Sequence, residues 1–518
     1  METSRNLLVA FALSMVVLLL YQKFFMPTPA QTGPARPPAV TTTDPGSSSS
    51  PSPDTLTGTS ETPPALTASG PQRLEVAWTL NTRYWTGGVD AQGNWIRFTL
   101  HAYRDRSGDP LSLVPSTQPL FYWAFPDTQI WQPVEAYPPT LSVEQPLTLR
   151  FRHPRDTARA LSYTLTPEAY GFDLTVRTSV PLRWVFPGGI RPSEPNLKDE
   201  ARYLRLVYSD GKRRHTVKLK QLKKGWAKAL DDVPWWALRT KFFALSVAAD
   251  HPTWKRLDAR VADDSLQTHL EVLLPPGTHQ FRVFLGPLDP RVLARAGGEL
   301  PSLFDYGNRL IAPFSRLILW AFSELHRFVP NWGWVIVLFA LGMKLVFWPL
   351  TFRGMLAMRK MQEIQPKVEA LRKLYKDDPE RLNREVLALY QKHRVNPFSG
   401  CLPLLIQLPV FYGLYRVLQG WIELRGAPFT LWIHDLSTPD PYYLLPVLMG
   451  AVSMLNTLIQ SKNNPQSRNI GIFMAVFFTF LFARFPAGIV LYWLVYNVFS
   501  VVEQLLIQRT LRMQKEGG

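Results

Sequence analysis

The chain has 518 residues, 46% of them hydrophobic and 13% aromatic, with a mean hydropathy of −0.06. That average resembles a soluble protein, yet the apolar residues are segregated into one stretch at the N-terminus and several after residue 330, around a polar, proline-rich interval. The net charge of +17 raises nucleic acid as a partner, and the presence of a single cysteine, Cys401, excludes an intramolecular disulfide.

The first element is "NLLVAFALSMVVLLLYQKFFM", residues 6–26. About 20 residues suffice to cross a ~30 Å hydrocarbon core. Residues 1–26 therefore read as an uncleaved transmembrane anchor. A cleaved signal peptide is the alternative, although Tyr21, Lys23 and Phe24 make a poor cleavage site. Residues 27–70 are mostly Pro, Ser, Thr and Gly, cannot bury a core, and read as a disordered linker.

From 71 to 300 the pattern changes to short alternating segments such as "NWIRFTLHAY", "FDLTVRTSV", "HTVKLKQL" and "THLEVLL", separated by turn residues. Period-two alternation of this density predicts an antiparallel β-sandwich domain. Within it "GKRRHTVKLKQLKKGWAK" (211–228) is strongly basic. It reads as the solvated face of a hairpin, or alternatively as a surface for anionic lipid headgroups. Residues 303–329 then form an amphipathic pattern, with Leu310, Ile311, Phe314, Leu317, Ile318 and Phe322 on one face among Arg309, Arg316, Glu324 and Arg327. This predicts a helix lying in the membrane interface.

Five further apolar segments follow at about 332–352, 399–419, 441–460, 470–485 and 487–508, giving six spans with the anchor. The fourth of the five is short, ~24 Å at 1.5 Å per residue. Orientation follows the positive charge of the short loops. Residues 353–397 carry Arg353, Arg359, Lys360, Lys367, Arg372, Lys373, Lys376, Arg381, Arg384, Lys392 and Arg394, and Lys462, Arg468, Arg509, Arg512 and Lys515 lie on the same side. The opposite connection, "WIELRGAPFTLWIHDLSTPDP", has one arginine against Glu423, Asp435 and Asp440. Both termini, including the 511–518 tail, are expected in the cytosol and the β domain outside, which removes nucleic acid as a partner and leaves DNA no direct role.

The 353–397 loop is itself patterned. Met358, Met361, Ile364, Val368, Leu371 and Tyr375 step by three and four, with a kink expected at Pro366. Asp378 then caps a second helix that opens with Pro379 and Glu380 and continues through Leu382, Val386, Leu389 and His393. The expectation is a cytosolic helical hairpin, with Arg359, Lys360, Lys367, Arg372, Lys373, Arg381 and Arg384 as a docking surface.

Enzymatic groups are missing from the sequence: it has no HExxH, no nucleotide-binding glycine loop and no paired cysteines for a metal. "NPFSGC" superficially resembles a serine-protease motif, but no histidine lies in a predicted span to act as base. No cofactor, metal or catalytic residue is expected. The outstanding feature is Lys344, close to the middle of the 332–352 segment, where a lysine costs roughly 2.5–3.5 kcal/mol on insertion scales. It snorkels toward headgroups, or it sits in a polar cavity to which Gln407, Asn456, Gln460, Thr479, Asn497, Ser500 and Gln504 contribute from other spans. A small-solute transporter would require internal repeats, and none is seen. A scaffold without transfer activity would tolerate an apolar residue at 344.

Several motifs resemble those of the YidC membrane-protein insertases, relatives of the mitochondrial Oxa and chloroplast Alb insertases. They are "NPFSGCLPLLIQLPVFYGLYRVL" (396–418), "APFTLWIHDLSTPDPYYLLPVLMG" (427–450), "FPAGIVLYWLVYNVFSVVEQ" (485–504), "FDYG" (304–307), "NWGW" (331–334), "WPLT" (348–351) and "IQPKVEALR" (364–372). The resemblance implies a five-helix insertase core over 330–510 and a periplasmic β-supersandwich. It implies insertion of nascent inner-membrane proteins without nucleotide hydrolysis, alone or with the Sec translocon, and contacts with membrane lipids and with the ribosome or targeting factors. It also implies a groove with a positive residue in the second span, which counting back from "WPLT" places at Lys344. Many members carry arginine there. Glu503 stands where an uncharged polar residue is expected. The depths of Lys344 and Glu503 are comparable, ~13 Å and ~9 Å from Arg353 and Arg509 at 1.5 Å per residue. Glu503 either partly neutralises Lys344 or faces headgroups.

Overall fold

The computed structural model describes residues 75–125, 131–229, 233–251, 254–262, 265–393, 402–461 and 465–516. The expected anchor and the 27–70 linker lie outside the described residues, as do Arg394, Ser399, Cys401 and Lys462.

The first half is built of strands from Trp78–Asn81 to Gly277–Pro287, arranged in sheets of five, nine and five strands. Pairing is antiparallel apart from one parallel pair, Trp78–Asn81 against Thr140–Ser142. Strands such as Gly171–Thr178 and Thr268–Leu274 alternate buried and exposed residues because one face packs on the core. Phe243–Ala249 lies near the middle of the nine-stranded sheet and opens with five consecutive buried residues. Between the sheets the core is aromatic: Trp95 stacks on Phe172 with centroids 4.2 Å apart, and Trp123 on Trp184 at 5.0 Å. The alternation in "HTVKLKQL" ends sooner than expected. The strand stops at Lys218, and Leu219–Lys223 form a helical turn pinned by buried Leu222.

Eight longer helices follow: α1 (Pro290–Ala296), α2 (Ala312–Phe328), α3 (Trp332–Leu374), α4 (Pro379–Lys392), α5 (Leu402–Gly420), α6 (Leu444–Gln460), α7 (Pro465–Phe482) and α8 (Ala487–Glu516). Among the described residues two stretches, Trp332–Gly354 of α3 and Ala487–Ile507 of α8, are long and apolar enough to cross a membrane; Leu444–Gln460 and Arg468–Phe482 are shorter apolar helices.

Two expectations are revised by the structure. The amphipathic helix covers 312–328, not 303–329. Of its apolar face, Ile311, Ile318 and Phe322 are buried, whereas Leu310 and Leu317 are exposed beside Trp320. The 303–311 segment is tied down separately, with Ser315 donating its hydroxyl to the Tyr306 carbonyl at 2.9 Å. Second, the 332–352 segment and the first arm of the expected hairpin are one 43-residue helix. Pro349 and Pro366 each remove one backbone donor, but the hydrogen bonds on either side carry the helix through both. The second arm is as expected: the Asp378 carboxylate accepts from the Arg381 backbone N–H, and α4 folds back so that Lys367 Nζ lies 3.0 Å from His393 Nε2. The connection between α5 and α6 is engaged by side chains of the β domain.

That connection is the joint between the halves. Arg425 donates to Glu194 Oε1 (2.6 Å) and to the carbonyls of Arg104 (2.6 Å) and Ser193 (3.2 Å). Arg106 bridges Glu194 and Asp435. Glu423 pairs with Arg291 at 2.5 Å, and Trp421 Nε1 donates to Asp289 at 3.2 Å. Glu200, itself buried, fixes the position of Glu194: its carboxylate accepts from the backbone of Ser193, Glu194 and Lys241. Burial raises the Glu200 carboxyl above its usual value against these hydrogen bonds.

Candidate functional site

Helices α3 and α8 pack along one another, and their charged residues meet inside the bundle. Lys344 Nζ lies 2.8 Å from Glu503 Oε2, with the two residues only 5% and 3% exposed. Two further side chains complete the arrangement. Thr351, seven residues after Lys344 and so on the same face of α3, has its hydroxyl 2.8 Å from Glu503 Oε1. Tyr496, seven residues before Glu503 on α8, presents its ring face 4.4 Å from Lys344 Nζ. Each charge therefore has its ionic partner and one neutral partner on the opposing helix. A buried charge is tolerated when it is paired and hydrogen-bonded, and that condition is met here.

The other expected groove residues do not converge on this pair. Gln407 on α5 donates to the Tyr492 hydroxyl at 3.0 Å, a buried bond one turn from Tyr496. Thr479, Asn497 and Ser500 each bond the carbonyl four residues back on their own helix, at 2.8, 2.9 and 2.9 Å. Gln460 donates to Asn456 within α6 at 3.1 Å. Gln504 Oε1 is buried without a hydrogen-bond partner among the described residues. On the α3–α4 arm, Lys360, Lys367, Lys373, Arg381 and Arg384 are exposed and Arg372 is half-buried; the Arg359 side chain lies outside the described residues. Arg381 sits over the Tyr375 ring at 5.0 Å and Arg384 pairs with Glu380 at 3.3 Å.

The sequence reading did not identify Thr351 or Tyr496. The signal was the seven-residue spacing from Lys344 and from Glu503, which places each one two turns along the same face. The joint residues Arg106, Glu194 and Arg425 carried no such signal, because their partners are 88 to 329 residues away in the chain.

Comparison with known proteins identifies the family. The sequence model of the 60Kd inner membrane protein family matches residues 324–516. A membrane protein insertase YidC from Syntrophus aciditrophicus is 31% identical over 98% of this chain and 99% of its own length. The chain belongs to the YidC family of membrane-protein insertases. The YidC of Wolinella succinogenes is 41% identical over 45% of this chain and 44% of its own. A crystal structure of an active YidC insertase with the first transmembrane domain resolved aligns with 83% of this chain and 94% of its own, at 21% identity and a TM-score of 0.38. As a YidC insertase the chain is an inner-membrane protein whose clients are nascent membrane proteins, and it is not an enzyme.

Proposed function

We propose that the chain moves hydrophilic tails of its clients across the inner membrane through a polar groove at the α3–α8 contact, with Lys344 as a transient attractor. The observation that carries this reading is the buried Lys344–Glu503 pair with its two neutral partners. An acidic client segment entering from the cytosol competes with Glu503 for the ammonium. As it does so, Glu503 retains its bond to Thr351, and Lys344 retains the Tyr496 ring until the client carboxylate arrives. No charge is left bare at any stage, which lowers the desolvation cost of entry. The membrane potential then favours outward movement of the acidic tail by ~2.3 kcal/mol per charge per 100 mV.

In this reading all six segments span the bilayer, both termini are cytosolic, and the β domain is periplasmic. The charged α3–α4 arm and the basic C-terminal tail face ribosomes or targeting factors, and the Sec translocon is a partner for larger clients. The shorter apolar helices α6 and α7 suit locally thinned lipid, which lowers the barrier further. Gln407, Asn456, Gln460, Thr479, Asn497, Ser500 and Gln504 serve as the lining, and no cofactor takes part.

The test is insertion of a small acidic-tailed membrane protein into proteoliposomes containing this chain. Lys344→Arg is expected to preserve insertion and Lys344→Met to abolish it. Full insertion by the Met variant would reject the attractor role and leave Lys344 as a structural partner of Glu503.

A further inference from the structure

Between residues 211 and 224 seven cations are exposed: Lys212, Arg213, Arg214, Lys218, Lys220, Lys223 and Lys224. They occupy a turn, the strand Arg214–Lys218 and the helical turn Leu219–Lys223. The strand is the outermost of the nine-stranded sheet and pairs on one side only, with Arg205–Ser209. Guarding a sheet edge with cations is a common device against edge-to-edge association, and it accounts for Arg214 and Lys218. It does not account for Lys212 and Arg213 in the turn, or for Lys220 and Lys224, which flank a residue buried in the core. Asp210, at the start of the turn, is engaged by the His215 ring (2.6 Å) and by the backbone N–H groups of Lys212 and Arg213.

The position of this edge indicates its partner. Arg214 donates to the Ser302 carbonyl, and Arg239 to the next one, Leu303, at 2.7 Å. Two residues on, Asp305 pairs with Arg416 near the end of α5 at 3.3 Å. The chain then enters α2, preceded by Leu310 (71% exposed) and presenting Leu317 (59%) and Trp320 (62%) outward. The basic edge is thus fastened to the segment that carries an uncovered apolar stripe. Cations held beside an outward apolar helix match the headgroup and upper acyl layers of one membrane surface.

We infer that the Lys212–Lys224 edge of the β domain docks on anionic phospholipid headgroups and holds that domain against the bilayer above α2. The inference rests on the bilayer placement proposed above, in which α5 ends at the same surface. It assigns the basic segment a role separate from the groove.

The experiment uses the full chain in a Cys401→Ser background, with Thr216→Cys on the exposed edge carrying a fluorophore. The chain is reconstituted in bilayers that contain a headgroup-level quencher lipid, with or without phosphatidylglycerol. Quenching is expected to be severalfold stronger with phosphatidylglycerol, to fall in high salt, and to lose its lipid dependence in Lys212→Gln/Arg213→Gln/Lys220→Gln. Equal quenching in both bilayers would overturn the inference and leave an acidic polypeptide as the surface's partner. So would retention of the lipid dependence by the triple variant. The salt response of the unmutated edge gives an answer even if the triple variant folds poorly. Insertion of the acidic-tailed client is scored on the same vesicles, so failure of the groove and failure of the docking are read separately.

Discussion

Two buried ion pairs in this molecule use the same charges for opposite purposes. At the joint, Arg425 and Glu194 have side chains 6% and 5% exposed, and the guanidinium fork also reaches two backbone carbonyls. In the bundle, Lys344 and Glu503 are equally buried, but the ammonium is a point charge whose second partner is an aromatic face. Arginine commits its donors to fixed directions, whereas lysine on a flexible stem can change partners at little geometric cost. The first pair fastens two domains; in the proposed reading the second opens to a client. The joint is made of the residues that leave most behind when one partner is lost, and the proposed groove of those that leave least.

Arg425→Met tests the first half of that contrast and carries the largest expected effect. It strands Glu194 with Arg106 alone and frees two carbonyls, and removing one partner of a buried pair typically costs about 3–5 kcal/mol. Thermal unfolding of the detergent-solubilised full chain is expected to show the β domain uncoupling from the bundle, with new protease cleavage near 300–311. Glu503→Gln comes next. The amide still takes the Thr351 hydroxyl, and Lys344 keeps the Tyr496 ring, so the loss is expected at about 1.5–3 kcal/mol, the scale of one charge-assisted hydrogen bond. Lys344 is expected to become more reactive toward an amine-modifying reagent, and acidic-tailed clients to insert faster. Equal destabilisation by the two variants would end the distinction between fastener and gate. An unchanged Lys344 reactivity together with unchanged insertion would show that Glu503 does not restrain the lysine.

A smaller effect is expected where the joint meets α2. Burial raises the Asp305 carboxyl, but Arg416 and Arg239 outweigh it and hold the group below its ordinary value of 3.8. A carboxyl depressed in the folded state contributes stability above its unfolded value, and that contribution is lost as pH falls through the folded one. The melting temperature of the unmutated chain is therefore expected to fall below about pH 4 more steeply than that of Asp305→Asn. Parallel profiles would place the acid sensitivity elsewhere.

The sequence was most informative where structure is local. Strand alternation marked Gly171–Thr178 and Thr268–Leu274, and counting rises along two parallel-running helices put Lys344 and Glu503 at matching depth before their contact was seen. It was less informative where a side chain had a choice. The sequence does not say where the polar groups of Thr479, Asn497 and Ser500 bond: a hydroxyl or amide in an apolar helix can satisfy itself on the carbonyl one turn back, and these do. The 303–329 pattern shows a related effect. An amphipathic stripe gives a period without saying which part the neighbouring helices cover, and here Ile318 and Phe322 are covered while Leu310 and Leu317 of the same face lie outward. The joint was invisible, since nothing in "WIELRGAPFTLWIHDLSTPDP" names partners hundreds of residues earlier.

The α4 arm gives the smallest prediction and isolates local sequence code from tertiary packing. Asp378 accepts from the Arg381 N–H, Pro379 fills the first helical position and Glu380 sits in the first turn, all legible from the sequence. No residue of α4 is buried; it packs on α3 through half-buried residues, while Ile364 and Val368 of α3 are buried. A helix with so little core depends on its ends. Asp378→Ala is therefore expected to cost about 1 kcal/mol locally. Amide hydrogen exchange over 379–392 would accelerate about fivefold, while α3 on the bundle side of Arg353 and the whole β domain stay as protected as before. Faster exchange throughout α3 would mean that the two arms unfold as one unit, with Ile364 and Val368 coupling the cap to the bundle. Exchange confined to α4 would mean that the arm opens and closes without disturbing the Lys344–Glu503 pair. That independence is what the proposed docking role requires, in which cytosolic partners engage the arm while the proposed groove stays closed.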